Sequence, residues 1–388
     1  MMKRAIVLIM DGVGIGALPD AAQYGDEGSN TLVNLAERCN GLKLPVLQSL
    51  GLGNITDIKG IEHVPQPLAS FGKMAEKSPG KDSTSGHWEL CGVILEKPFP
   101  TFPKGFPVDI IARFEKMIGH EILGNLPASG TEIIKRLGEQ HIREKKPIVY
   151  TSADSVFQVA CHIDVFSLGE LYSFCKTARA LLQGEYGVAR VIARPFTGVF
   201  PEFSRTKDRR DFSMAPPEPT LLDIAHKNGI KVIVIGKVDD LFSNRGFDET
   251  FHSVNNQECI DFVLSSMKEE NDTLIVANFV QFDMDWGHRN DVEGFRKGLI
   301  EMDKGLDSII KQARDEDIMF ITADHGNDPT TPSTDHSREH VPILAYRNGM
   351  SGQNLGTRET FADLAKTTAN YFGIGGIRHG KSFLKDDC

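Results

Sequence analysis

Short apolar runs rich in β-branched residues punctuate the chain, and each closes on a polar residue or glycine. Residues 5–10 precede Asp11, 232–235 precede Gly236, 273–277 precede Asn278, and 318–322 lead to Asp324. Continuous apolar runs of this length, bounded by turn residues, predict strands buried on both faces of a parallel sheet. Stretches with helical spacing separate them, at 220–227, 257–268 and 291–314. Alternating strands and helices with short connections predict a doubly wound α/β fold. In such folds ligands bind beyond the carboxyl ends of the strands, and Asp11 and Asp324 fall at such ends.

The middle of the chain reads differently. Residues 98–107 (PFPTFPKGFP) and 215–219 (APPEP) are proline-rich. Between them lie short helical patterns and two strand-like runs, 147–151 and 188–193. Two such boundaries predict an inserted α+β cap domain over 100–216 and a discontinuous core of 1–99 and 217–388. Hinges are expected near 98–107 and 213–219, because two chain crossings permit rigid-body rotation. The opening MMKRAIVLIMDG imitates a secretion signal, but Asp11 interrupts the apolar run and no small-residue cleavage site follows, so a buried first strand is expected. No stretch approaches the roughly 18 apolar residues of a membrane span.

Charge narrows the partners. With 53 acidic against 43 basic residues the net charge is −10, which argues against a nucleic-acid binder. A small anionic substrate stays open, since metal ions and a local arginine cluster reverse the field inside a cleft. The six cysteines, at 39, 91, 161, 175, 259 and 388, form no CxxC pair and read as reduced structural thiols of a cytoplasmic protein.

Five unusual strings carry the chemistry: IVLIMDGVG, GKDSTSGHWE, FDMDWGHRND, MFITADHGND and TDHSREH. They offer Asp11, Ser83, Asp283, His288, Asp324, His325 and His336, a set of carboxylates, imidazoles and one hydroxyl suited to two divalent ions and a phosphoryl-accepting oxygen. Taken singly, each has a plainer reading. Asp11 could cap a helix; its G-x-G-x-G is neither a dinucleotide fingerprint nor a P-loop. Asp324 and His325 could form a surface turn. Asp285 rivals Asp283 and His340 rivals His336, while Asp335 could orient His336. Asn278 and Gln281 read as ordinary loop polars. Thr84 and Ser85 share the chemistry of Ser83 beside a helix-like stretch opening at His87, where a serine or threonine cap is the plain alternative. Taken together, the charges favour one site: two cations about 4 Å apart clamp both ends of a phosphoryl displacement. Mixed oxygen and nitrogen donors fit manganese or zinc and disfavour magnesium or calcium. Arg190, Arg194, Arg205, Arg209 and Arg210, with Lys207, make a basic patch suited to phosphate, or else a solvated basic loop.

In their order along the whole chain, MDGVGIGALPDA, GKDSTSGHWE, NLPASGTEII, YTSADSVFQ, RVIARPF, FDMDWGHRND and ITADHGNDPTTPSTDHSREHVPILAY resemble the bacterial phosphopentomutases of the alkaline phosphatase superfamily. The resemblance implies an alkaline phosphatase-like core carrying an inserted cap. It implies one metal on Asp283, His288 and His336, and the other on Asp11, Asp324, His325 and the nucleophile, which falls on Ser83. That position is usually threonine in the family; Gln281 also replaces a usual aspartate, and Asp285 adds a carboxylate. Asp154 would contact the ribose, and Arg190, Arg194, Arg205 and Lys237 the substrate phosphate. Expected with it are a phosphorylated pentose as substrate, a sugar bisphosphate such as glucose 1,6-bisphosphate as activator, and a monomer or weak oligomer. The absence of a C/S-x-P-x-R cassette argues against a sulfatase.

Overall fold

The computed structural model describes residues 2–384, apart from Ala153; Cys388, counted among the thiols above, lies outside the described residues. The chain divides into two compact units, one comprising the chain before Pro98 and after Ala215, the other Pro98–Ala215.

The first unit is built on an eight-stranded sheet in the order Glu249–Phe251, Lys231–Ile235, Thr273–Phe279, Arg4–Met10, Ile318–Thr322, Val341–Tyr346, Ala69–Met74, Asn354–Arg358. Only Val341–Tyr346 runs antiparallel to its neighbours. Every residue of Arg4–Met10, Thr273–Phe279 and Ile318–Thr322 is buried, as strands covered on both faces require. Each predicted strand is present; the run 273–277 extends two residues further, so Asn278 lies in the strand and not in a loop. Ile9 pairs with Asn278 on one side and Thr322 on the other. Three central strands therefore end level, which carries Asp11, Asn278 and Asp324 to one edge. The long helix Val292–Gln312 buries Phe295, Leu299, Met302, Leu306 and Ile309 at helical spacing and packs against the helices Asn256–Ser266 and Pro45–Ser49. Asp291 caps it, accepting from the Gly294 amide at 2.9 Å.

The second unit has its own mixed sheet, ordered Leu123–Pro127, Ile148–Thr151, Val156–His162, Arg190–Val199, Glu202–Arg205, with Arg210–Ser213 also paired to Arg190–Val199. The sequence pattern showed two of these strands. Of the others, Leu123–Pro127, Glu202–Arg205 and Arg210–Ser213 are short, and Glu202–Arg205 reads EFSR, with no apolar run to betray it. Val156–His162 is central and fully buried, its apolar run broken by Gln158. Helices Val108–Ile118, Gly130–Glu144 and Leu168–Leu181 pack on the sheet over two apolar clusters, one around Phe106, Phe114, Phe157 and Phe174, the other around Ile133, Ile148 and Phe196.

Candidate metal centre

Strand ends and the loops after them supply the cluster. Asp11 follows Met10 directly, and Asp324 and His325 follow Thr322 by two and three residues. The Gly12 amide donates to Asp324 Oδ1 at 3.2 Å, which joins the two strand ends. Asp283 lies on the irregular turn Phe282–Trp286, His288 on the next turn, and His336 on the loop before Val341–Tyr346. The structure thus brings the seven residues together. Two sets have ligand atoms within 4.8 Å of one another: Asp283, His325 and His336, and Asp11, Asp324 and His325. His325 belongs to both, and His288 joins Asp283 from the partly exposed side, its Nε2 3.2 Å from Asp283 Oδ2.

Proton positions tell what the cluster is for. His288 Nδ1 lies 2.7 Å from the Thr334 carbonyl, His325 Nδ1 3.0 Å from the Gly326 carbonyl, and His336 Nδ1 2.9 Å from the Lys81 carbonyl. A carbonyl only accepts, so each ring donates from Nδ1 and turns a lone pair on Nε2 inward. There those lone pairs meet carboxylates: His336 Nε2 is 3.2 Å from Asp283 Oδ1, and His325 Nε2 is 3.4 Å from Asp11 Oδ1 and 3.3 Å from Asp324 Oδ2. Two electron-rich atoms at such distances need a cation between them, a proton or a metal ion. The acid–base balance says the same. Burial opposes the charge of His288, yet the hydrogen bond and charge of Asp283 outweigh it and lift the ring to about 9. Burial likewise opposes the charged forms of His325 and Asp283, yet Asp324 and Asp11 drive His325 well up, and His336 and His288 drive Asp283 well down. Asp11 Oδ1, Asp324 Oδ2 and His336 Nε2 are buried without a hydrogen-bond partner, a cost a bound divalent ion removes. The donor set fits such ions.

The hydroxyl enters from the helix Ser83–Leu90, which begins at Ser83 and not at His87. Asp82 caps it, accepting from the Thr84 and Ser85 amides at 3.0 and 3.1 Å. Ser83 Oγ lies 3.0 Å from His325 Nε2. Ser85 is buried and gives its hydroxyl to Glu76 at 2.9 Å; Thr84 is buried too. The residues after them dock the helix. A Cβ on Gly86 would sit 2.1 Å from the Asp324 carbonyl oxygen, so only glycine allows this approach. Trp88 donates to the Leu241 carbonyl at 2.9 Å. Glu89 accepts from the Lys77 and Ser78 amides, the Thr360 hydroxyl and the Phe361 amide.

The rivals fall elsewhere. Asp285 accepts from Gln281 at 2.9 Å and faces Arg289 at 3.7 Å. His340 Nδ1 lies 3.1 Å from the Gly16 carbonyl. Asp335 accepts the backbone amide of His336 at 2.9 Å, while the ring is oriented by the Lys81 carbonyl instead. The glycines after Asp11 make room: a Cβ on Gly14 would meet the Glu339 carboxylate at 2.3 Å. Glu339 accepts from the Gly16 and Thr31 amides and from the hydroxyls of Thr31 and Ser337. Sequence reasoning missed Asn278. It is fully buried and donates to Asp11 Oδ2 at 3.1 Å; its position at the end of an apolar strand was the available signal.

In the second unit, Arg190 and Arg194 lie on one strand and Arg205 on its partner. Arg190 is 3.7 Å from Asp211 and 4.0 Å from the exposed Asp154. Arg194 donates to Gln158 at 3.1 Å, and burial, then the charge of Arg209, lowers it to about 10. Arg209 grips Asp211 through two hydrogen bonds. Arg210 instead stacks over Tyr172 and Phe212 at 5.5 and 5.4 Å. Lys237, in the first unit, is exposed and begins the short helix Val238–Leu241 at the end of its strand.

The family model of the Metalloenzyme superfamily matches residues 3–375. The phosphopentomutase of Acetivibrio thermocellus is 54% identical over 384 residues, 99% of this chain and 99% of that one. That of Clostridium novyi is 53% identical over 387 residues, covering 100% and 99%, and that of Dictyoglomus turgidum 55% over 386 residues, covering 99% and 98%. Among solved structures, the PH0037 protein of Pyrococcus horikoshii shares the fold with a TM-score of 0.51 at 15% identity, covering 98% of this chain and 99% of its own. The chain belongs to the phosphopentomutases, isomerases with the α/β core of the alkaline phosphatase-like metalloenzymes.

Proposed function

We propose that this enzyme interconverts ribose 1-phosphate and ribose 5-phosphate, and the deoxyribose analogues, through a phosphorylated Ser83 and a pentose bisphosphate, linking nucleoside catabolism to pentose phosphate metabolism. The observation that carries the reading is the 3.0 Å approach of Ser83 Oγ to His325 Nε2, inside a set with orphaned carboxylate oxygens on Asp11 and Asp324. In the resting enzyme Ser83 carries a phosphoryl group. The free hydroxyl of the pentose monophosphate attacks that phosphorus; its O–P bond forms as the Ser83 Oγ–P bond breaks, and the proton lost by the sugar hydroxyl balances the one Ser83 regains. The bisphosphate turns over and returns its other phosphoryl group to Ser83 by the reverse exchange.

Asp11, Asp324, His325 and Ser83 would hold one divalent ion, and Asp283, His288 and His336 the other; manganese suits the mixed donors, with zinc as the alternative. Bound there, such ions stabilise charge on the phosphoryl oxygens and acidify the Ser83 hydroxyl. Arg190, Arg194, Arg205 and Lys237 are assigned to the substrate phosphate and Asp154 to the ribose; the placement of Arg190 beside Asp211 and of Arg194 on Gln158 supports those two members of the first assignment. Residues 100–216 serve as the cap, and the enzyme acts in the cytoplasm, consistent with its free described cysteines. No described helix is long and apolar enough to cross a membrane.

Incubation with glucose 1,6-bisphosphate, expected as the priming phosphoryl donor, tests the reading. Mass spectrometry should then place one phosphate on Ser83; phosphate on Thr84 or Ser85, or on none, overturns it. A coupled assay with ribose 1-phosphate should yield ribose 5-phosphate, whereas free phosphate as the main product would mark a hydrolase.

A further inference from the structure

We propose that His87 and Asn278 are positioning residues for the Asp11–Asp324 set, joining both carboxylates and the helix that carries Ser83 into one buried chain of polar contacts. Asn278 Nδ2 lies 3.1 Å from Asp11 Oδ2 and 3.2 Å from His87 Nε2. Ionised Asp11 only accepts, so the amide nitrogen must face it. The second hydrogen of that amide then goes to His87 Nε2, which leaves the ring proton on Nδ1. That N–H donates to the Ser83 carbonyl oxygen at 2.9 Å and faces Asp324 Oδ2 at 3.1 Å, a close electrostatic contact that leaves this oxygen free to ligate. His87, Asn278, Asp11 and Asp324 are all buried. One turn of helix separates His87 from Ser83, so the chain that aims the carboxylates also fixes the register of the hydroxyl.

The Asp283 set has a separate support. Asn327 Nδ2 donates to Asp283 Oδ1 at 2.6 Å, and the Asn327 amide donates to Thr31 Oγ1 at 3.2 Å. Gly12 and Gly287 leave room for Asn327, since a Cβ on either would meet it at 2.9 or 2.5 Å. The Asn278 and Asn327 side chains each serve one set, although His325 belongs to both and the Asn327 amide also donates to the Gly12 carbonyl at 2.8 Å. Loosening one side chain should therefore weaken its own ion more than the other. Partners that orient ligating groups typically contribute about 10–100-fold in metal affinity.

The inference rests on the two-ion reading, and one titration separates the two. Metal-free enzyme is titrated with manganese, followed by calorimetry and by electron paramagnetic resonance of the free ion. The unaltered enzyme should bind two ions per chain; failure to do so refutes the two-ion reading. Asn278→Leu, similar in shape and without hydrogen bonds or added charge, should weaken one ion about 10–100-fold and the other distinctly less. Asn327→Ala should weaken the complementary ion. Asn278→Ser and His87→Gln, milder changes, should repeat the first pattern where Asn278→Leu folds poorly. Two ions bound by the Asn278 and His87 variants as tightly as by the unaltered enzyme, or equal weakening of both, overturns the positioning role.

Discussion

Single residues divide by what the cluster asks of them. Ser83, Thr84 and Ser85 share a hydroxyl, but Ser85 spends its own on Glu76 and Thr84 is buried. Ser83→Ala should therefore lower isomerase activity by at least about a thousandfold, the scale of losing a nucleophile, with metal content retained in elemental analysis. Asp285 is a carboxylate of the same string as Asp283, yet it faces Gln281 and Arg289. Asp285→Asn should leave metal content unaltered and shift stability by no more than about 0.5 kcal/mol in chemical denaturation. The strings made both aspartates visible. Which one turns inward depends on an irregular helical turn, Phe282–Trp286, that no spacing rule predicts.

At the scale of elements, the helix Ser83–Leu90 is placed by close approach more than by an apolar stripe. Nearly all of it is buried, and Gly86 lies against the Asp324 carbonyl. Gly86→Ala must push helix and strand end apart. A displacement near 1 Å costs on the order of a hundredfold in rate, so kcat should fall that far while phosphoserine still forms slowly in single-turnover labelling. In the second unit, His141 ties the helix Gly130–Glu144 to the strand Val156–His162. Its Nδ1 donates to the Lys146 carbonyl at 2.7 Å and its Nε2 accepts from the His162 amide at 2.9 Å, so the ring must be neutral. Burial, with a small push from His162, lowers it from 6.5 to about 4. The unfolded chain thus binds this proton first. Stability is full above pH 6.5 and falls as pH drops toward 4, by up to roughly 3 kcal/mol. Urea denaturation of residues 98–215 across that range should show the slope, and His141→Gln should flatten it.

For the whole molecule, the division of the chain matters most. Pro98–Ala215 has a complete sheet, three helices and two apolar clusters of its own. Expressed alone, it should unfold in one cooperative transition by circular dichroism; a gradual melt would show that its order is borrowed. The sequence by itself determined the α/β class, the central strands, the proline-rich boundaries and the inventory of ligating side chains. These are local properties, written in hydrophobic period, breaker residues and chemical type. Only the tertiary structure decided that Asn278 belongs to a strand and touches Asp11, that His87 reaches Asp324, and that the glycines around Asp11 exist to admit Glu339 and Asn327. It also decided the edge strands of the second unit, whose pairing is supplied by neighbours and not by their own composition. The reason is distance along the chain. Asp11 and Asn278 are 267 positions apart, and contact between such residues is set by strand order and register, which a one-dimensional pattern does not carry.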